Sequence, residues 1–163
     1  MQTSRQVSER TSQDRQLIAS GILLGMGLGG FFDGIVLHQI LQWHHLVSNV
    51  DRYPMTTVAG LEANTLADGL FHAATYVFTV VGFVLLWNAL RNPEVRWSGR
   101  AFVGLMLAGW GIFNLVEGLI NHQILQVHRV KQDAADPLIW DLGFLAWGAI
   151  MLVAGWWLVK QRR

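Results

Sequence analysis

The sequence predicts an all-α fold, an integral membrane four-helix bundle made of two parallel two-helix repeats. Three observations carry that reading. Apolar residues make up 52% of the chain and charged residues 14%, against about 25% charged in an ordinary soluble domain. Four windows, residues 17–44, 66–90, 101–128 and 138–159, each supply the mostly apolar run of roughly 20 residues that crosses a hydrocarbon core of about 30 Å. The third observation is that an unusual polar stretch inside the first window is written again inside the third.

Residues 1–16, MQTSRQVSERTSQDRQ, form a polar cytoplasmic tail, predicted to be disordered or to lie on the surface. The apolar stretch behind it is too long for a cleavable signal peptide and lacks a small-x-small cleavage site. Residues 17–90 hold the first helix pair and residues 101–160 the second, within one domain overall. Loop charges then orient the chain. Arg5, Arg10 and Arg15 precede the first helix; Arg91, Arg96 and Arg100 lie between the second and third; Lys160, Arg162 and Arg163 follow the fourth. These are nine of the twelve basic residues, which leaves Arg52, Arg129 and Lys131 for the opposite side. By the positive-inside rule both termini are cytoplasmic. Trp87, Trp97, Trp156 and Trp157 then fall at the inner interface, with Trp43 and Trp140 at the outer one.

Composition also excludes several functions. A net charge of +1 gives no basis for nucleic acid binding. With no cysteine there are no thiolate metal sites, disulfides or cysteine nucleophiles. Ser20, Ser48 and Ser98 do not fall beside the histidines at matching depth, so serine hydrolysis finds no support.

A shift of 84 positions aligns Asp33 with Glu117, Gly34 with Gly118, His38 with His122, Gln39 with Gln123, Gln42 with Gln126 and His44 with His128. Seven of the fifteen positions from 31 to 45 are identical in the copy. Both copies enter the membrane in the same direction, so a pseudo-two-fold axis along the membrane normal is expected. The second helices correspond more weakly: DGLFHAATYV at 68–77 resembles DLGFLAWGAI at 141–150, with Asp68 on Asp141 but His72 on Leu145. The outer loop shrinks from about residues 46–65 to about 130–137, so a site near the axis is asymmetric. Gly21, Gly25 and Gly29 show the small-xxx-small spacing that brings membrane helices close, with Gly104 and Ala108 as a shorter version.

This orientation gathers all six histidines in the outer half. At 1.5 Å per residue, His38 and His72 each lie roughly 9 Å below the outer boundary, His122 matches His38, and Asp33 and Glu117 lie roughly 16 Å down. Angular position is a harder test, because Asp33 sits about 140° from His38 on an ideal helix. Asp33 to His38 and Glu117 to His122 are both i, i+5 spacings, so a π-bulge would bring each pair onto one face. Asp68 and His72 are i, i+4 neighbours without any such device.

The plain reading of Gln39, Gln42, Gln123, Gln126 and Asn114 is hydrogen bonding between helices. His44, His45 and His128 are placed at the interface, where water satisfies them. Buried acids with histidines at mid-depth instead mark a site. The candidate metal ligands are His38, His72 and His122, with Asp33, Glu117, Asp68 and Asp141 as ligands or partners of ligands; His44, His45, His128, Gln42 and Gln126 are secondary candidates. Nitrogen and oxygen donors without thiolate suit Zn, Fe, Mn or Cu. A b-type haem is the alternative, with His38 and His122 as axial ligands and Gly27 and Gly111 making room for the ring. A proton or ion path ranks below both, since no charged residue continues to the inner side.

The doubled DG-x3-HQILQ-x-H and EG-x3-HQILQ-x-H segments, with DGLFH and DLGFLAWG after them, resemble a bacterial family of four-helix membrane proteins catalogued as domain of unknown function 2243. The similarity covers about residues 17–160. It implies a multi-pass protein of the bacterial cytoplasmic (inner) membrane and adds no reaction. The family's frequent neighbours are assembly factors of haem-copper oxidases, so the resemblance implies a respiratory oxidase or its assembly factors as partners, in copper or haem handling. Membrane lipid and a homo-oligomeric partner complete the expectations, and whether the chain is an enzyme or a carrier stays open.

Overall fold

The computed structural model describes the backbone of residues 2–91, 95 and 98–161, with side chains from residue 12 onward. Four helices form: α1 (Gln2–Phe32), α2 (Val58–Leu90), α3 (Gly99–Glu117) and α4 (Pro137–Lys160). Each of α1 and α3 runs on without a break into a π-helical segment, Asp33–Ile40 and Gly118–Ile124 respectively. Four stretches are long and apolar enough to cross a membrane, Ser12–Ile40, Val58–Leu90, Gly99–Ile124 and Pro137–Lys160. An even number of crossings puts both termini at one end of the bundle and the segments 41–57 and 125–136 at the other, here called the loop end. Of the residues that orient the chain by charge, the side chains of Arg5 and Arg10, and all of Arg96, Trp97, Arg162 and Arg163, lie outside the described residues.

The helix boundaries have local causes. Thr57 caps α2 by accepting from the Gly60 N–H, Ser98 caps α3 through Ala101, and Asp136 caps α4 through Leu138 with Pro137 in the first turn. These caps correct the expected windows. The second helix begins at Val58 rather than near 66, because the polar residues that interrupt its apolar run are used inside the fold: buried Asn64 donates to the carbonyls of Tyr53 and Gly60. The first and third helices stop at Ile40 and Ile124, short of 44 and 128. The N-terminal residues, expected to be disordered or to lie on the surface, are helical from Gln2 onward.

Among the described residues α1 packs against α2 and α3, and α3 against α4, whereas the α2 and α3 backbones stay apart and meet through the Phe71 and Phe113 rings, 6.0 Å between centroids. The central α1–α3 contact is backbone on backbone. A β-carbon at Gly25 would run into the Met106 carbonyl, and one at Gly109 into the Ile22 carbonyl. Close approach of this kind compensates for the missing hydrophobic drive between helices in lipid. Gly27 and Gly111, expected to make room for a haem ring, are instead taken up by helix contacts with Thr79 on α2 and with Gly148 and Leu152 on α4.

Candidate metal centre

An α-helix points Asp33 and His38 to different sides, and the structure resolves that conflict by changing the helix. In the π-helical register residues five apart share a face, and His38 Nε2 lies 3.2 Å from Asp33 Oδ2. In the other half His122 Nε2 lies 3.1 Å from Glu117 Oε2. Each π segment then ends in a left-handed residue, Gln42 at φ 49° and Gln126 at φ 50°. The following amides bond back, Trp43 N–H to the Leu37 carbonyl at 2.9 Å and Val127 N–H to the Asn121 carbonyl at 3.0 Å. The chain thus reverses and carries His44 and His128 down into the bundle.

That reversal alters the sequence-based placement. His44 and His128, expected at the wet interface, are 3% and 0% exposed, as enclosed as His38 at 0% and His122 at 1%. The four rings pack as one cluster. His44 stacks on His128 with centroids 4.6 Å apart, His38 meets His44 edge-on at 4.3 Å, and His122 meets His128 at 4.8 Å. His72 is not brought to this cluster. It rests against Gly34 and stacks with Phe31 at 6.2 Å. Gln42 and Gln126 are exposed and contribute their backbone conformation to the site.

Asp68 and Asp141 hold the cluster from outside. Asp68 accepts from His38 Nδ1 at 2.8 Å, from His45 Nδ1 at 2.6 Å and from the Leu46 N–H at 2.8 Å. Asp141 accepts from Arg129 at 2.8 Å and from the Val130 N–H at 3.0 Å, and stands 3.8 Å from His122 Nδ1. Arg129 therefore occupies in one half the position that His45 has in the other.

Proton bookkeeping shows what the interior of the cluster presents. A carboxylate or carbonyl oxygen accepts, so the ring nitrogen facing it carries the hydrogen and the other nitrogen of a neutral imidazole carries a lone pair. Nδ1 is so committed in His38, to Asp68; in His44, to the Val130 carbonyl at 2.8 Å; and in His128, to the Leu46 carbonyl at 2.9 Å. The three Nε2 lone pairs remain. Those of His38 and His128 face carboxylate oxygens, Asp33 Oδ2 at 3.2 Å and Glu117 Oε1 at 2.8 Å, an arrangement that needs a positive charge between the partners. His44, in the segment between the helices, has its pKa held well below the ordinary imidazole value by burial and then by the neighbouring rings of His128 and His38. It stays neutral, with its Nε2 directed at other rings.

Of the seven buried polar atoms without a hydrogen-bond partner among the described residues, six lie here, Asp33 Oδ2, His38 Nε2, His44 Nε2, Glu117 Oε2 and both nitrogens of His122, and the seventh is His72 Nε2. One donor atom each from His38, His44 and His128 lies within 4.8 Å of the other two, and the same holds for Glu117, His122 and His128. Two nitrogens bound to one ion at about 2.1 Å are at most roughly 4.2 Å apart, so small ring movements bring either set into a coordination sphere.

Sequence reasoning ranked His44 and His128 low because it let the helices run on as far as these residues, to the interface. The signal available was the recurrence of both residues at the same distance beyond His38 and His122 in HQILQWH and HQILQVH.

Comparison with curated proteins and with solved structures gives no match. The family described as predicted membrane protein, domain of unknown function 2243, matches residues 20–162, and the chain belongs to that family.

Proposed function

We propose that this membrane protein binds a transition metal through the imidazoles of His38, His44, His122 and His128 and the carboxylates of Asp33 and Glu117, for redox chemistry or metal handling. The observation that carries the reading is His44 Nε2: a buried lone pair without a hydrogen-bond partner, within 4.8 Å of ring nitrogens of His38 and His128. Leaving a buried polar atom unpaired costs about 1–3 kcal/mol. A coordinated cation satisfies His44 Nε2 and supplies the positive charge that the His38–Asp33 and His122–Glu117 pairs call for. Asp68, by accepting from His38 Nδ1, does what carboxylates do behind metal-bound histidines, fixing the tautomer and turning Nε2 inward. The donor set suits Zn, Fe, Mn or Cu, at either of two adjacent positions, since the two triads share His128, whose one remaining lone pair binds one ion at a time. The recurrence of ligand types 84 positions apart supports matching ligands about a pseudo-two-fold axis, and the charge bias of the loops supports a site in the outer half of the bilayer.

Packing favours ions over haem. The space between His38 and His122 is taken by the rings of His44 and His128, which leaves no slot for a flat macrocycle. Elemental analysis and an absorption spectrum on one purified sample test the reading. Transition metal near or above one equivalent without a Soret band supports it, and a Soret band with haem iron replaces it by the haem alternative.

A further inference from the structure

A cavity of about 270 Å³ lies in the seam between α2 and α3 and reaches the centre from its side. Its walls include Met26, Phe71, Phe78 and Phe113, and its polar groups, Glu117 and Asn121, stand toward the loop end. Ala74, Val116 and Ile120 in its lining are exposed, so the seam faces the surroundings of the bundle, which in a bilayer is hydrocarbon. Phe71 joins the cavity to the centre by stacking on the His38 ring at 5.6 Å.

The residues of the two halves differ at this seam. The residues aligned with Met26, Ala74 and Val116 are Trp110, Trp147 and Phe32, each bulkier, and the Phe32 and Trp110 rings lie 5.4 Å apart over the counterpart seam. Asn121 is matched by Leu37, so the counterpart also lacks the polar amide.

We propose that this cavity binds the phenolic headgroup of a membrane-dissolved molecule, the hydroxyl donating to Glu117 and the ring lying among Phe71, Phe78 and Phe113. Each feature selects that chemistry. Three phenyl rings and a thioether favour an aromatic body. The volume is below the ~300 Å³ at which drug-sized pockets begin, which fits a single ring with any alkyl chain trailing into lipid. Glu117 is 5% exposed, with Oε2 facing His122 Nε2 at 3.1 Å and Oε1 facing His128 Nε2 at 2.8 Å, one contact to each oxygen. A carboxylate offers about four lone-pair positions and no proton, so it takes a hydroxyl donor even while binding a cation, and it rejects an ether.

The test uses the full chain in lipid nanodiscs, a 4-alkylphenol with a diazirine in its alkyl chain, and the methyl ether of the same probe, with adducts mapped by peptide mass spectrometry. Saturable phenol adducts within 71–78 and 113–121 are expected, with the ether labelling weaker by about tenfold for the lost hydrogen bond to a charged group. Ala74→Trp with Val116→Phe removes the adducts, whereas Ala149→Trp, on the exposed face of α4, leaves them. Equal labelling by phenol and ether on the unmodified chain, or unsaturable labelling spread over lipid-facing residues, overturns the proposal without reference to any variant's folding. Saturable adducts that persist in a folded double variant overturn it too. The readout contains no metal term, so this proposal and the metal reading fail separately.

Discussion

His44 and His128 stack face to face at 4.6 Å with 4° between their planes, and each donates Nδ1–H into the other half of the chain, His44 to the Val130 carbonyl and His128 to the Leu46 carbonyl. Neither half completes the cluster alone. The interlock extends through Asn49 N–H to the Val127 carbonyl at 2.9 Å and Gln132 N–H to the Trp43 carbonyl at 3.2 Å.

Asp68→Asn keeps the size of the side chain and removes the charge that orients His38 and His45. Metal affinity is expected to fall about 10- to 100-fold with helix content unchanged. Competition against a chelator of known affinity measures it, and an unchanged midpoint counts against the assigned tautomers.

Gln42→Gly and Gln126→Gly relieve the left-handed strain of a residue with a β-carbon, worth about 1–2 kcal/mol at each position. Both variants are expected to melt higher in detergent with metal content unaltered. Gln42→Val is expected to melt lower, because a β-branched residue fits that conformation worst.

Protons compete with a metal ion for the ring nitrogens that bind it. Affinity should therefore fall as pH drops, by about tenfold per unit for each competing proton, with His44, held neutral by burial, contributing none. A chelator titration between pH 8 and 5 follows this; affinity that rises on acidification has the wrong sign.

Gly25→Leu sets a branched side chain against the Met106 backbone at the α1–α3 contact. Both halves of the cluster ride on that helix pair, so the variant should lose thermal stability and metal together, whereas Gly69→Leu, where no atom lies within 4 Å of a β-carbon, should keep both.

The four crossings were legible because length and apolar content alone determine them. The i, i+5 spacing of Asp33 with His38 and of Glu117 with His122 announced a helix with five-residue register, and the structure has one at both places. The reversal was not legible, since left-handed positions usually carry glycine or asparagine and here carry Gln42 and Gln126, so nothing in the string stops the helix. The error propagated to His44 and His128, placed in water though they are buried. His72 shows the opposite limit: its depth matched that of His38, but depth does not fix direction, and its ring turns toward Phe31. The early start of α2 was hidden by Asn64, whose polarity reads as loop until its partners at Tyr53 and Gly60 are seen.

The central claim is tested most directly by elemental analysis of protein purified from metal-replete cells, set beside the His44→Ala/His128→Ala double variant and the Gly69→Leu control. At least about one equivalent of a single transition metal in the unmodified chain and the control, and almost none in the double variant, is the predicted result. A well-folded unmodified protein that carries no metal, or a double variant that keeps its full complement, would contradict the account.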